Sequence, residues 1–230
     1  MFAKEGYELD FEFSPIKFDN TYNIRDSVYS ILRGAILDGR LKAGQHLVER
    51  DIAGQLKVSR TPVREAIQKL ENEKLVTHVQ RKGVFVAGFT KADAEEIGVI
   101  RIALESLCCS IAASKITEKE LVNLENINQK MLEEHLQGNL TKAVLLNKKF
   151  HESIYKSARS PHLYYFVSTL RDYISPFTKL SYTKEGRIQE VFEEHADIIQ
   201  KLRLHDEQGA HDAAKNHIEK SGKTFVRMAY

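Results

Sequence analysis

The sequence predicts a mainly α-helical protein in two parts, an N-terminal winged helix-turn-helix followed by an all-α antiparallel helical bundle. Three observations carry this. The order helix, helix, turn, helix, hairpin runs from Ile24 to Ala87. No strand pattern recurs after Thr90, and residues 91–229 break into six amphipathic stretches. Charge divides at the same place: residues 21–90 carry 12 Lys and Arg against 7 Asp and Glu, whereas residues 91–230 carry 20 of each. A basic block ahead of a balanced one suggests a polyanion-binding module joined to something else, which the whole-chain charge of +2 conceals. The expected divisions are an arm over 1–20, the winged helix-turn-helix over 21–88 and the helical domain over 91–230.

The arm carries 2 basic and 5 acidic residues and alternates Phe11, Glu12 and Phe13 up to Ser14-Pro15. It reads either as a mobile arm or as an arm packing its Phe residues on a partner subunit. From Ile24 the period is helical: Ile24, Val28, Ile31, Leu32, Ala35 and Ile36 share a face that ends at Asp38-Gly39. The loop Leu41–Gly44 precedes a short helix over Glu49–Leu56, and Lys57-Val58-Ser59 is a tight turn. Ser59 can cap the next helix, which has Pro62 at its start, where a missing N–H costs nothing. That helix runs to about Lys74 with Val63, Ala66, Ile67 and Leu70 inward. Two strand-like runs, Leu75–Gln80 and Val84–Ala87, meet at a basic tip, Arg81-Lys82-Gly83. The six later helices are expected over 91–114, 117–137, 139–158, 161–180, 185–205 and 208–227, with Thr117 as a cap.

Other classes are excluded. The most apolar stretch, Gly98 to Ser114, is broken by Arg101 and Glu105, so no transmembrane helix is expected, and the acidic start lacks the basic end of a signal peptide. The two cysteines, Cys108 and Cys109, are adjacent in a helical pattern and form neither a CxxC pair nor a disulfide. They read as small core residues in a reducing compartment, and a cytoplasmic protein follows.

The second helix of a helix-turn-helix presents its first turn to base edges in the major groove. Here that turn is Ser59-Arg60-Thr61-Pro62-Val63-Arg64. Arg60 and Arg64 lie four apart on one face, and each guanidinium can take guanine O6 and N7 together. Ser59 and Thr61, with the N–H groups of the helix start, suit a phosphate. Arg50 on the preceding helix can reach the same backbone or groove. The competing reading is that these are solvated surface arginines.

At these residues the chain resembles the GntR family of bacterial transcription regulators. The resemblance rests on Leu47–Ala53, Val58–Ala66, Leu70-Glu71, the loop Gly39–Gly44 and the wing Lys82–Val86, and it covers residues 22–88. It implies a homodimer on a short palindromic operator in double-stranded DNA. Arg50, Arg60 and Arg64 then match the arginines that contact bases or phosphates, and Gly83 the wing glycine that approaches the minor groove.

Seven of the nine histidines follow residue 91. His135, His162, His205 and His211 read as surface or loop residues. His151, His195 and His217 instead sit on core-facing stripes of three separate helices. One inward His is easily satisfied locally; three that converge favour a divalent ion such as zinc or nickel. Periodicity leaves both readings open.

Asn147–His151, Ser160–Leu163, Glu194–Ala196 and His217 resemble the FCD effector-binding domain of the FadR subfamily, over residues 91–228. The resemblance implies one divalent ion per chain held by Asn147, His151, His195 and His217. It also implies a small carboxylate effector, with Arg101 matching a position that reaches an effector carboxylate and Asn147 shared with the metal. The competing role for Arg101 is a salt bridge to Glu105 within its own helix. Asp is commoner at the first ligand position; the amide of Asn147 leaves the ion its full charge, which should weaken metal retention and strengthen attraction for an anion.

The function expected is a DNA-binding transcriptional regulator, a repressor, whose operator affinity is set by a small carboxylate at the metal site. The alternatives are a regulator with a purely structural metal and a three-histidine metalloenzyme. The sequence offers no general base for the last, and an enzyme has no need of the Arg60/Arg64 helix, so no enzyme is expected.

Overall fold

In the computed structural model of the chain, residues 12–15, 23–37, 39–87 and 90–229 are described, apart from the side chains of 172, 174–177, 179, 180 and 229. The chain forms two compact units, Met1–Thr90 and Lys91–Tyr230.

The first unit contains α1 (Ile24–Leu37), β1 (His46–Leu47), α2 (Glu49–Leu56), α3 (Arg60–Asn72), β2 (Val76–Val79) and β3 (Gly83–Val86). α1 and α3 pack through Val28, Leu32 and Ala35 against Val63, Ile67 and Leu70, all buried. Glu73, just past the end of α3, fastens the two helices: the Tyr29 hydroxyl donates to its carboxylate, and Arg33 Nε lies 2.9 Å from Oε2. Lys57 ends α2 in the left-handed conformation (φ 55°), its N–H turned back to the carbonyls of Ala53 and Gly54. That sharp stop makes the turn into α3.

Four details differ from expectation. Ser59 holds the N-cap position with extended backbone, but its side chain makes no cap hydrogen bond. Pro62 is the third helical residue, still within the turn whose N–H groups have no helical partner. The tip of the hairpin lies one residue earlier, because Gly83 already pairs with Val79 as the first residue of β3. A strand unforeseen in the sequence, β1, covers the other edge of β3, with His46 opposite Phe85 and Leu47 opposite Val84. The sheet order is β1-β3-β2, all antiparallel.

Most of the expected arm, and Asp38, Gly88 and Phe89 of the expected boundaries, lie outside the described residues. Phe13 is buried, and its N–H donates to Gln55 Oε1 at 2.9 Å, so this residue docks on α2 of its own chain.

The second unit is six helices: α4 (Lys91–Ala113), α5 (Glu118–Leu136), α6 (Leu140–Ser157), α7 (Pro161–Ser181), α8 (Arg187–Arg203) and α9 (Glu207–Ala229). Connections of a few residues make successive helices antiparallel. Thr117 caps α5 in a capping box with Glu120. α4 packs chiefly on α9, and α5 on α6 and α8. One core contains Cys108, Cys109, Leu124, Phe150, Ile154 and Ile198, and a smaller one Met131, Tyr182, Ile188 and Val191. Both cysteines are free and buried, and burial pushes the Cys108 thiol up to about 12. The polar groups of the site lie on the same helices as these two clusters.

Candidate functional site

The first candidate surface is the exposed face of α2 and α3. Arg60, Thr61 and Arg64 project from the first two turns of α3, with Ser59 exposed before them. Glu49, first residue of α2, gathers both arginines: Arg60 Nη2 donates to Oε2 at 3.2 Å, and Arg64 donates through Nε at 3.1 Å and Nη2 at 3.0 Å. The Arg64 hydrogen bonds hold the Glu49 carboxyl below its ordinary value. Because Arg64 spends its Nε edge on Glu49, its remaining bidentate edge is the terminal one, suited to guanine O6 and N7. Sequence reasoning placed the arginines but missed Glu49, whose signal was only its position at the start of α2. Arg50 is exposed and pairs with Asp51 at 3.1 Å, apart from that cluster.

Lys82 is exposed at the hairpin turn. Gly83 has φ +103°, and a Cβ there would lie 2.4 Å from His46 Nε2. His46 is stacked on Phe85 with ring centroids 4.7 Å apart. This glycine therefore has a structural cause independent of any groove.

The second candidate surface is inside the helical unit. His151 of α6, His195 of α8 and His217 of α9 converge, one ligand atom from each lying within 4.8 Å of the others, all three residues buried. Their environments orient them. Asn128 of α5 donates its Nδ2 to the Phe192 carbonyl at 3.0 Å, so its Oδ1 accepts from His195 Nδ1 at 3.1 Å. His195 Nε2 consequently carries the lone pair, and it is buried with no partner among the described residues. His217 Nδ1 donates to Glu194 Oε2 at 2.7 Å. Phe150 backs His195, stacked at 3.8 Å. Asn147, one turn before His151 on α6, is buried too, and its Oδ1 has no partner among the described residues.

Electrostatics keep the imidazoles neutral. Burial pushes His151 and His195 well below the ordinary value, with Arg171 and the neighbouring imidazoles adding to it. Burial also lowers His217, although its hydrogen bond to Glu194 pulls the other way. Burial would raise the Glu194 carboxyl, but His217 and Arg187 outweigh it and hold it at about 2. Arg187, almost wholly buried, grips Glu194 with both Nη atoms at 2.9 and 3.0 Å and donates to Ser221 Oγ at 3.0 Å.

A parallel arrangement surrounds Glu105. Its carboxylate takes Arg101 Nε and the Tyr155 hydroxyl, and Arg171 Nη1 lies 3.8 Å away. Burial opposes ionisation there, but Arg101, Arg171 and the Tyr155 hydrogen bond keep the carboxyl below its ordinary value. Arg101 thus makes the intrahelical salt bridge and also lines the cavity. That cavity, about 450 Å³, is bounded among others by Arg101, Asn147, His151, Arg171, Arg187 and His217.

These residues suit a divalent cation. Two buried acceptor atoms, Asn147 Oδ1 and His195 Nε2, have no partner among the described residues, and two imidazoles have their tautomers set by Asn128 and Glu194. Neutral imidazoles with an amide oxygen form a donor set for zinc or nickel. Around it three arginines, Arg101, Arg171 and Arg187, face two carboxylates, Glu105, buried, and Glu194, partly buried, so this polar cluster is cationic before any ion enters. Arg171, Arg187 and Asn128 were not singled out from the sequence. Of the remaining histidines, His205 takes a bond to the Ala113 carbonyl at 2.6 Å and His211 pairs with Asp212, away from the cluster.

Comparison with known proteins agrees with this division. The model for bacterial regulatory proteins of the gntR family matches residues 24–86, and the FCD domain model matches residues 96–220. The HTH-type transcriptional regulator YdhC of Bacillus subtilis is 32% identical over 195 residues, covering 83% of this chain and 84% of that protein. The HTH-type transcriptional repressor RspR of Escherichia coli is 25% identical over 209 residues, 90% of this chain and 91% of its own length. Among solved structures, E. coli McbR/YncC superposes with a TM-score of 0.73 at 22% identity, over 91% of this chain and all of that one, a likeness of fold. Among the described residues no helix is long and apolar enough to cross a membrane.

Proposed function

From the premise that the chain belongs to the GntR family of bacterial regulatory proteins and carries an FCD domain, we propose a cytoplasmic repressor controlled by a small carboxylate at a metal site. The coarse part follows from the family: the protein is a transcriptional regulator, and the relatives it matches are regulators, not enzymes. Repression is supported by the name of RspR, one of those relatives.

The observation that carries the finer reading is the pair of unpartnered buried acceptors, Asn147 Oδ1 and His195 Nε2, at a three-histidine cluster. A buried acceptor left unsatisfied costs about 1–3 kcal/mol, and a cation removes that cost. Asn147, His151, His195 and His217 hold one divalent ion per chain, zinc or nickel, which supplies a Lewis-acidic anchor for an anion. Arg101 and Arg171, already on the cavity wall, bind and orient a carboxylate there. The three ligating helices α6, α8 and α9 each take one histidine, so occupancy biases how they pack. In the DNA-binding unit, Arg60 and Arg64 read base edges, and Arg50, Ser59, Thr61, Lys82 and Gly83 approach the backbone or minor groove. A homodimer on a palindromic operator presents two such helices by two-fold symmetry.

The test is metal analysis joined to operator binding. The purified protein is expected to carry about one ion per chain, and His217→Ala to lose it. Stripping the ion should abolish the response of operator affinity to added carboxylate while leaving the fold intact. Loss of folding on stripping would mean a structural ion, the second reading, favoured by the way the cluster ties three helices together. Unchanged metal content in His217→Ala would overturn the site.

A further inference from the structure

Two glycines in the cavity wall have no reason to be glycine among the described residues. Gly98 lies inside α4 and Gly222 inside α9, both far from the helix ends, where glycine is an unfavourable choice. Close packing of the described residues does not require them, since a Cβ built on either meets none of their atoms within 4 Å. Gly209, by contrast, is accounted for: a Cβ there would lie 2.1 Å from Asp206 Oδ2. Neither Gly98 nor Gly222 has positive φ.

Both line the 450 Å³ cavity, and their positions relative to the polar floor are alike. On α4, Ile102 adjoins the floor residue Arg101, and Gly98 and Ala94 follow at one and two turns towards the N-terminus. On α9, Ile218 adjoins His217, and Gly222 and Phe225 follow towards the C-terminus. α4 and α9 pack extensively on each other. The two stripes line the cavity with Ala94, Ile102, Ile218 and Phe225 and at their middle lack side chains, while Glu95, Glu219, Lys223 and Arg227 of the same helices also reach its lining. At the floor, Asn147 Oδ1 is buried, unpartnered and set among the arginines.

We infer that the ligand of this cavity is a carboxylate with a hydrocarbon body, its head at the polar floor and its body in a slot held open by Gly98 and Gly222. The inference rests on the proposed anion site and adds the class of molecule that fills it. A purely polar effector would leave the apolar lining residues wetted, whereas an alkyl chain removes both its own surface and theirs from water. The two missing side chains then set the length and girth of chain that is admitted.

The experiment is calorimetric titration of the full chain, as purified, with acetate and with octanoate. Octanoate is expected to bind at least tenfold more tightly than acetate. Gly98→Leu and Gly222→Leu should each cut octanoate affinity at least tenfold and leave acetate within twofold. Gly98→Ala and Gly222→Ala should raise the melting temperature, because no atom of the described residues obstructs the new methyl, and these milder variants serve where a leucine impairs folding. Equal affinity for both acids, or leucine variants that retain octanoate, would overturn the slot while the anion site stands through acetate. A lowered melting temperature in both alanine variants would also overturn it, by making the glycines packing residues. Binding of neither acid would overturn the anion site and the slot together.

Discussion

His195 Nδ1 lies 3.1 Å from Asn128 Oδ1, and the amide nitrogen of Asn128 is already committed to the Phe192 carbonyl. One asparagine on α5 thereby decides which nitrogen of a histidine on α8 faces the cluster. Asn128→Ala should leave the imidazole free to rotate and to change tautomer. The loss of such a supporting bond typically costs about 10–100-fold in metal affinity. Asn128→Asp keeps an acceptor and should retain most of it. Competition for zinc against a chelator checks both; wild-type affinity in the alanine variant would show that the orientation of His195 is set elsewhere.

Glu49 holding Arg60 and Arg64 leads to the second prediction. If both arginines read base edges, replacing either by Ala should cost about 1–3 kcal/mol on operator DNA and flatten the preference among sequences. Lys82→Ala should weaken all sequences alike, as a phosphate contact does. Fluorescence anisotropy on operator and scrambled duplexes separates the cases. Equal losses on both duplexes for the Arg60 variant would reassign it to the backbone.

The helices were legible because their apolar residues recur at three and four, as in Val63, Ala66, Ile67 and Leu70. The same periodicity turned three histidines inward, but which inward faces meet at one point is decided by helix packing, which no local pattern encodes. Asn128 did carry a signal: it is the polar member of the buried stripe Leu121, Leu124, Asn128 and Met131. Arg187 carried none, since its burial depends on Glu194 two turns away and on Ser221 of another helix. β1 has two residues, too few for an alternating pattern, and exists because β3 offers it an edge.

The capping box of α5 gives a pH prediction. Arg159 and the Thr117 backbone and hydroxyl outweigh partial burial and hold the Glu120 carboxyl at about 2, below its ordinary 4.5. A depressed value means that the folded state releases this proton more readily than the unfolded one. The stabilisation is therefore complete above about pH 4.5 and fades as pH falls towards 2. Melting temperatures of wild type and Glu120→Gln should differ at neutral pH and converge across that window. A constant difference would mean that the substitution acts through something other than the charge.

Gly83 has two possible masters, the fold and the DNA, and they can be separated. Its φ of +103° disfavours any side chain, and an added Cβ would lie 2.4 Å from His46 Nε2. His46 does not turn aside without giving up its stack on Phe85, and that stack lies where β1 joins the sheet. Backbone strain of this kind costs on the order of 1–3 kcal/mol, so Gly83→Ala should destabilise the N-terminal unit with no DNA present. Adding His46→Ala should relieve the collision but not the backbone strain, and so recover only part of the loss. Urea unfolding without DNA measures each step. If Gly83→Ala unfolds like wild type and loses only operator affinity, the glycine serves the approach to the groove, and the packing of His46 is incidental to it.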